Sequence, residues 1–155
     1  MQVDQWMHRD PVTVGADDSL RTAVRLLHQR GIRHLPVVEG KRLVGILTDR
    51  DIRQAAPSGA AGQTVHELHY ILEKLTVREI MTKEVVTVGP EQTVEDAALL
   101  LLSHRIGGLP VVRDGDLVGI ITETDILKAF LQLRGKGPLD IAESIVNVEE
   151  EKQTP

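Results

Sequence analysis

The chain has 155 residues, 41% of them hydrophobic and 26% charged, with a formal net charge of −5, no cysteine, and one each of Trp, Tyr and Phe. The apolar share supports a folded core and excludes a disordered chain. The missing cysteines remove disulfides, thiolate catalysis and Cys-ligated zinc together. The acidic balance, without a Lys/Arg run interleaved with aromatics, argues against nucleic acid as a partner. The start lacks an apolar signal-like segment and nowhere do 18 apolar residues run together, so no membrane contact and a cytoplasmic location are expected.

In chain order, the first element is a β-rich stretch at Val12–Val14. Leu20, Ala23, Val24 and Leu27 then carry the i, i+3, i+4, i+7 spacing of a one-sided helix. Leu35–Val38 and Leu43–Leu47 read as the strands of a hairpin, and a closing helix starts after Thr48. Ala55–Gly62 has the composition of a flexible loop, and Val65–Leu75 has apolar spacing for a short helix. The pattern then returns. A β-rich stretch at Val85–Val88 leads to a capping box, Thr93-Val-Glu-Asp96, and to a helix with Val94, Ala97, Ala98 and Leu101 on one face. Leu109–Val112 and Leu117–Ile121 form a hairpin around Asp114-Gly115, and a second closing helix follows Thr122. A Gly135-Lys-Gly-Pro138 break precedes a further helix from Leu139 to about Val148 and a frayed tail.

The recurrence is an internal duplication with an offset of 74, since Met7 falls on Met81 and 81 − 7 = 74. From there to Ile52 on Ile126 the match is gapless, and twenty of the 46 aligned positions are identical, including Leu35-Pro-Val-Val38 with Leu109-Pro-Val-Val112. Two copies of so long a period indicate a paired domain rather than a solenoid. Each copy is a β-α-β-β-α unit, and a unit of about 50–60 residues is marginal alone. The expected fold class is therefore α/β (α+β), with two repeats packed in pseudo-two-fold symmetry. Residues 1–60 form the first repeat, 61–76 a linker with a short helix, 77–130 the second repeat and 131–155 a terminal helix and tail.

The strongest chemical constellation is Thr48-Asp-Arg-Asp51 and its copy Thr122-Glu-Thr-Asp125, each following an apolar strand. Thr-x-x-Asp is a capping-box variant favoured by the helix dipole. The same helix start offers N–H groups to a phosphate and a carboxylate suited to vicinal ribose hydroxyls. The two readings are compatible.

Val-Thr-Val, a helix, Leu-Pro-Val-Val, Leu-Val-Gly-Ile and Thr-x-x-Asp, all duplicated over residues 7–52 and 81–126, resemble tandem cystathionine-beta-synthase-type (CBS) domains, the Bateman module, in its stand-alone form. The resemblance implies a non-catalytic nucleotide sensor that binds AMP, ADP, ATP, S-adenosylmethionine or another adenosyl compound in clefts between the repeats. It assigns Asp51 and Asp125 to the ribose hydroxyls, Thr48 and Thr122 to the ribose-phosphate region, and Thr13 and Thr87 to the flanks of the base. Leu35, Pro36 and Val37, with Leu109, Pro110 and Val111, would be aliphatic walls, which suits a chain this poor in aromatics.

The copies differ in charge: Arg33-His34 and Arg50 in the first face Gly107-Gly108 and Thr124 in the second. Polyphosphate needs cations, so Arg33, His34 and Arg50, with Gly108 opposite, complete the candidate ligand set, the three cationic side chains available to either half. His66 and His69 stand at i, i+3, but they lack the His-Glu-x-x-His pattern and an evident third ligand, and no metal is expected. No Ser–His–Asp set or phosphate-binding glycine loop is present, so no enzyme activity is expected. A homodimer that acts on a regulated protein partner is the expected assembly, the alternative being a structural dimerisation or interaction module with vestigial ligand sites.

Overall fold

The computed structural model describes residues 1–55 and 65–135, with 65–69 by backbone alone. The Ala55–Gly62 loop beyond its first residue, the side chains of His66 and His69, and the helix and tail expected after Gly135 lie outside the described residues.

The chain opens with a single 3₁₀ turn, Val3–Gln5, and a two-residue strand β1, His8–Arg9. The β-rich stretch reduces to β2, Val14–Gly15, and Val12 lines a cleft instead of pairing in a ladder. Helix α1, Leu20–Arg30, is capped by the Ser19 hydroxyl, which accepts from Thr22 N–H at 3.2 Å, and stops at Gly31 in the left-handed conformation. Strands β3, His34–Glu39, and β4, Arg42–Thr48, form the first hairpin, and α2, Asp49–Ala55, follows.

Next come α3, Val65–Lys74, within the expected linker, and a short helix α4, Val77–Ile80. In the second half the expected stretch Val85–Val88 is only a bridge from Val88 to Val111, and the plan then repeats with α5, Val94–His104, β5, Gly108–Arg113, β6, Asp116–Thr122, and α6, Glu123–Leu133. The capping box holds in the structure: Thr93 N–H donates to Asp96 Oδ2 at 3.0 Å and Asp96 N–H donates to Thr93 Oγ1 at 3.1 Å. Asp114 and Gly115, both at positive φ, make the turn of the second hairpin.

The strands form one six-stranded sheet in the order β1-β6-β4-β3-β2, with β5 also paired to β6. The two hairpins join at a single pair, Arg42 with Asp116, positions related by the 74-residue offset. The pseudo-two-fold axis therefore passes through this pair, and its flanks obey it: Leu43 N–H donates to Gly115 O at 3.2 Å and Leu117 N–H to Lys41 O at 2.9 Å.

Each half borrows its first segment from the other. Val77 and Met81 pack in the core of the first half with Leu20, Leu35, Val37 and Leu47, while Val3 and Met7 pack in the core of the second with Leu101, Leu109, Val111 and Ile121. The backbone bonds that dock these segments match by the same offset: Val3 N–H to Gln92 O and Val77 N–H to Asp18 O, both 2.9 Å. Beyond the docking points His8 pairs with Ile120, and Thr82 pairs with Ile46. Gly45 and Gly119, in the repeated Leu-Val-Gly-Ile, make the exchange possible. A Cβ on Gly45 would meet the Met81 sulfur at 2.5 Å, and one on Gly119 the Met7 sulfur at 2.6 Å. This crossing is what brings residues of both halves together at each cleft.

Candidate functional site

Alternation along the central strands sorts core from cleft. Leu35, Val37 and Leu47 point into the first core, while His34, Ile46 and Thr48 present the opposite face to a cleft of about 420 Å³. Its other walls come from the second half: Thr82, Glu84, Val85, Val86, Ile106, Gly107 and Gly108. A second cleft, of about 460 Å³, is built from the equivalent positions: Ile120 and Thr122 of β6 with His8, Pro11, Val12 and Ile32 of the first half.

In the first cleft Asp51 is a lining residue, and its two oxygens have different partners. Thr48 donates twice to Oδ2, from N–H at 2.8 Å and from Oγ1 at 2.9 Å. Oδ1 accepts from the Thr82 hydroxyl at 2.9 Å. The threonine hydroxyl thus serves to orient the carboxylate. In the second half Asp125 Oδ2 accepts from Thr122 N–H at 2.9 Å and from Thr122 Oγ1 at 2.7 Å, and Oδ1 lies 3.0 Å from His8 Nε2.

Arg33 and His34 line both clefts, whereas Arg50 and Arg105 line only the first. Arg33, Arg50 and Arg105 make no ion pair among the described residues. The His34 ring lies over Gly107 and Gly108, where a Cβ on Gly108 would come within 3.0 Å of its Cγ. The glycines of the second repeat therefore make room for the imidazole of the first. Burial, chiefly, and then the Arg33 charge hold the His34 pKa below the ordinary imidazole value, with Glu123 opposing them.

Of the residues singled out in the sequence, Arg33, His34, Thr48, Arg50, Asp51 and Gly108 meet in the first cleft, and Thr122 lines the second together with Arg33 and His34. Asp125 is buried at 3% exposure and lines neither cleft. Leu35, Pro36, Val37, Leu109, Pro110 and Val111 are fully or nearly fully buried and line neither. Thr13, half-buried, and Thr87, exposed, stand one residue outside walls formed by Val12 and Val86. Thr82 and His8 escaped the sequence reading; the offset pairs them with each other, but their side chains differ and nothing local shows that each crosses to the other half's aspartate.

One family model, the CBS domain, matches residues 3–58 and again 77–132, the two stretches that carry the duplicated hairpins. The chain belongs to the CBS domain family. It is 34% identical over 125 residues to the CBS domain-containing protein YhcV of Bacillus subtilis (strain 168), covering 80% of this chain and 81% of that protein. It is 37% identical over 126 residues to an inosine-5'-monophosphate dehydrogenase of Korarchaeum cryptofilum (strain OPF8), covering 81% of this chain but only 23% of that one. The chain also covers only 22% of an L-aspartate semialdehyde sulfurtransferase of Methanocaldococcus jannaschii, so with these two enzymes it shares a minor part of their length. Among solved structures, the CBS domain pair of protein MJ0100 in complex with 5'-methylthioadenosine and S-adenosyl-L-methionine matches with a TM-score of 0.69 and 32% identity, covering 84% of this chain and 95% of that one. Among the described residues no helix is long and apolar enough to cross a membrane, and no cluster of three or more His, Asp or Glu is placed to hold a metal ion.

Proposed function

We propose that this CBS pair is a regulatory module without catalytic activity that binds an adenosine-containing ligand, AMP, ADP, ATP or another adenosyl compound, in the first cleft. The observation that carries the reading is Asp51. Its carboxylate faces an open cleft with one oxygen fixed by Thr48 and the other held by a single neutral hydroxyl that a ribose diol can replace. Around it, Ile46, Val85, Val86 and Ile106 offer aliphatic surface for a planar base, and Arg33, Arg50 and Arg105, which make no ion pair among the described residues, offer charge for phosphate. The complex of the MJ0100 pair with two adenosyl compounds supports the same ligand class.

Thermal unfolding against AMP, ADP, ATP, S-adenosylmethionine and NADH tests the proposal. A ligand at 100 times its Kd adds about 2.7 kcal/mol, or about 5–11 °C for a chain of this size. Asp51→Ala should abolish that shift. No movement of the wild-type midpoint with any of the five would overturn the reading.

A homodimer and a protein partner belong to the same proposal. Leu99 and Leu102 of α5 and Leu127 and Phe130 of α6 are all more than half exposed, while the first half has Arg25, His28 and Arg53 at the positions equivalent to the three leucines. An apolar face that, among the described residues, belongs to one half suits a protein contact. It also favours a second reading, an interaction module whose clefts are vestigial. Leu102→Glu with Leu127→Glu should then disrupt assembly, read by light scattering, whatever the ligand.

A further inference from the structure

Equivalent positions build the two clefts, yet their carboxylates are presented differently. Asp51 is partly exposed and lines the first cleft; Asp125 is 3% exposed and is absent from the lining of the second, where His8 stands instead. His8 occupies the place of Thr82, and its Nε2 lies 3.0 Å from the Asp125 oxygen that corresponds to the one Thr82 engages at 2.9 Å. Lys128 brings an ammonium to 3.7 Å of the same oxygen, at a position where the first half has Gln54. Thr122 satisfies the other oxygen twice.

We propose that His8 is the specificity-determining residue of the second cleft: it latches Asp125 away from ligand, so that a vicinal diol is accepted beside Asp51 and refused beside Asp125. The proposal rests on the adenosine reading of the first cleft and extends it to the order in which the clefts fill. In the first, a ribose hydroxyl exchanges with one neutral hydroxyl donor. In the second it must displace an imidazole and compete with a nearby ammonium. Both donors meet a carboxylate, so the difference is one of displacement: the His8 ring must vacate the place a diol would take, whereas Thr82 need only turn its hydroxyl, and the loss of about one net hydrogen bond gives about a tenfold difference in affinity.

The test is calorimetric titration of the full chain with adenosine, which carries no phosphate and so is blind to the shared cations. Wild type should bind one adenosine per chain. His8→Thr, which installs the side chain of the first half, should gain a second site or strengthen it at least about tenfold, and Thr82→His should weaken the first by a similar factor. Two equal sites in wild type, or binding unchanged in both variants, would overturn the latch and leave the adenosine reading standing. Adenosine bound by none of the three chains overturns both. The latch also has a signature without ligand: the ¹⁵N resonances of the His8 imidazole should shift in Asp125→Asn and stay in place in Asp51→Asn. Unmoved His8 resonances in Asp125→Asn would remove it.

Discussion

The hairpins β3–β4 and β5–β6 match pair for pair, down to an irregularity after Val37 in one and after Val111 in the other, whereas the clefts at their ends share Arg33 and His34 and differ in the rest of their charge. Arg50 and Arg105 belong to the first cleft alone; the second has His8 and Arg9 in their stead. The difference teaches that the duplicated backbone and the site chemistry answer to separate constraints. Registers, caps and cleared glycines are required twice because the fold is made twice, while side chains on the cleft face are not fixed by the fold.

The sharpest way to break the comparison is through the exchanged segments. Met81→Ala should open a hole in the first core and Met7→Ala in the second, each costing about 2–5 kcal/mol, and thermal unfolding should show a single transition in both. If either variant splits the transition in two, the halves are energetically separate. Crowding the same contacts from the other side should cost less: Gly45→Ala and Gly119→Ala, each forcing a methionine sulfur and a neighbouring carbonyl to move, should destabilise by about 1–3 kcal/mol and by similar amounts.

Smaller still are the caps. Ser19→Ala and Thr93→Ala should each cost about 1 kcal/mol in urea unfolding, the second more because Thr93 also orders Asp96. The last effect sharpens the comparison at its centre. The His34 pKa is depressed in the folded chain, so its contribution to stability is complete above about pH 6.5 and is lost as the pH falls through the lowered value. Wild type should therefore lose more stability than His34→Gln between about pH 6.5 and 5.

The hairpins, the helix faces and the Thr-x-x-Asp turns were legible because each is written locally, as alternation, as 3.6-residue spacing or as a cap. Leu35, Val37, Leu109 and Val111 were legible as apolar strand residues, but which side of the sheet faces a core depends on packing, and they lie in the cores rather than on cleft walls. The exchange was not legible. Val3 and Val77 sit in short segments without periodicity, and their destination is fixed by docking bonds between residues about ninety positions apart at one end and about sixty at the other. For the same reason the partners of Asp51 and Asp125 could not be read from either copy alone.

A lone repeat of this kind would carry a donor segment and an empty acceptor groove that cannot meet within itself. Two such repeats satisfy each other reciprocally, as in a swapped pair, and joining them in one chain replaces a bimolecular encounter with an intramolecular one. The linker thus acts as a concentration device, and a chain cleaved between α2 and α3 should persist as a two-fragment complex, each fragment serving as the other's template.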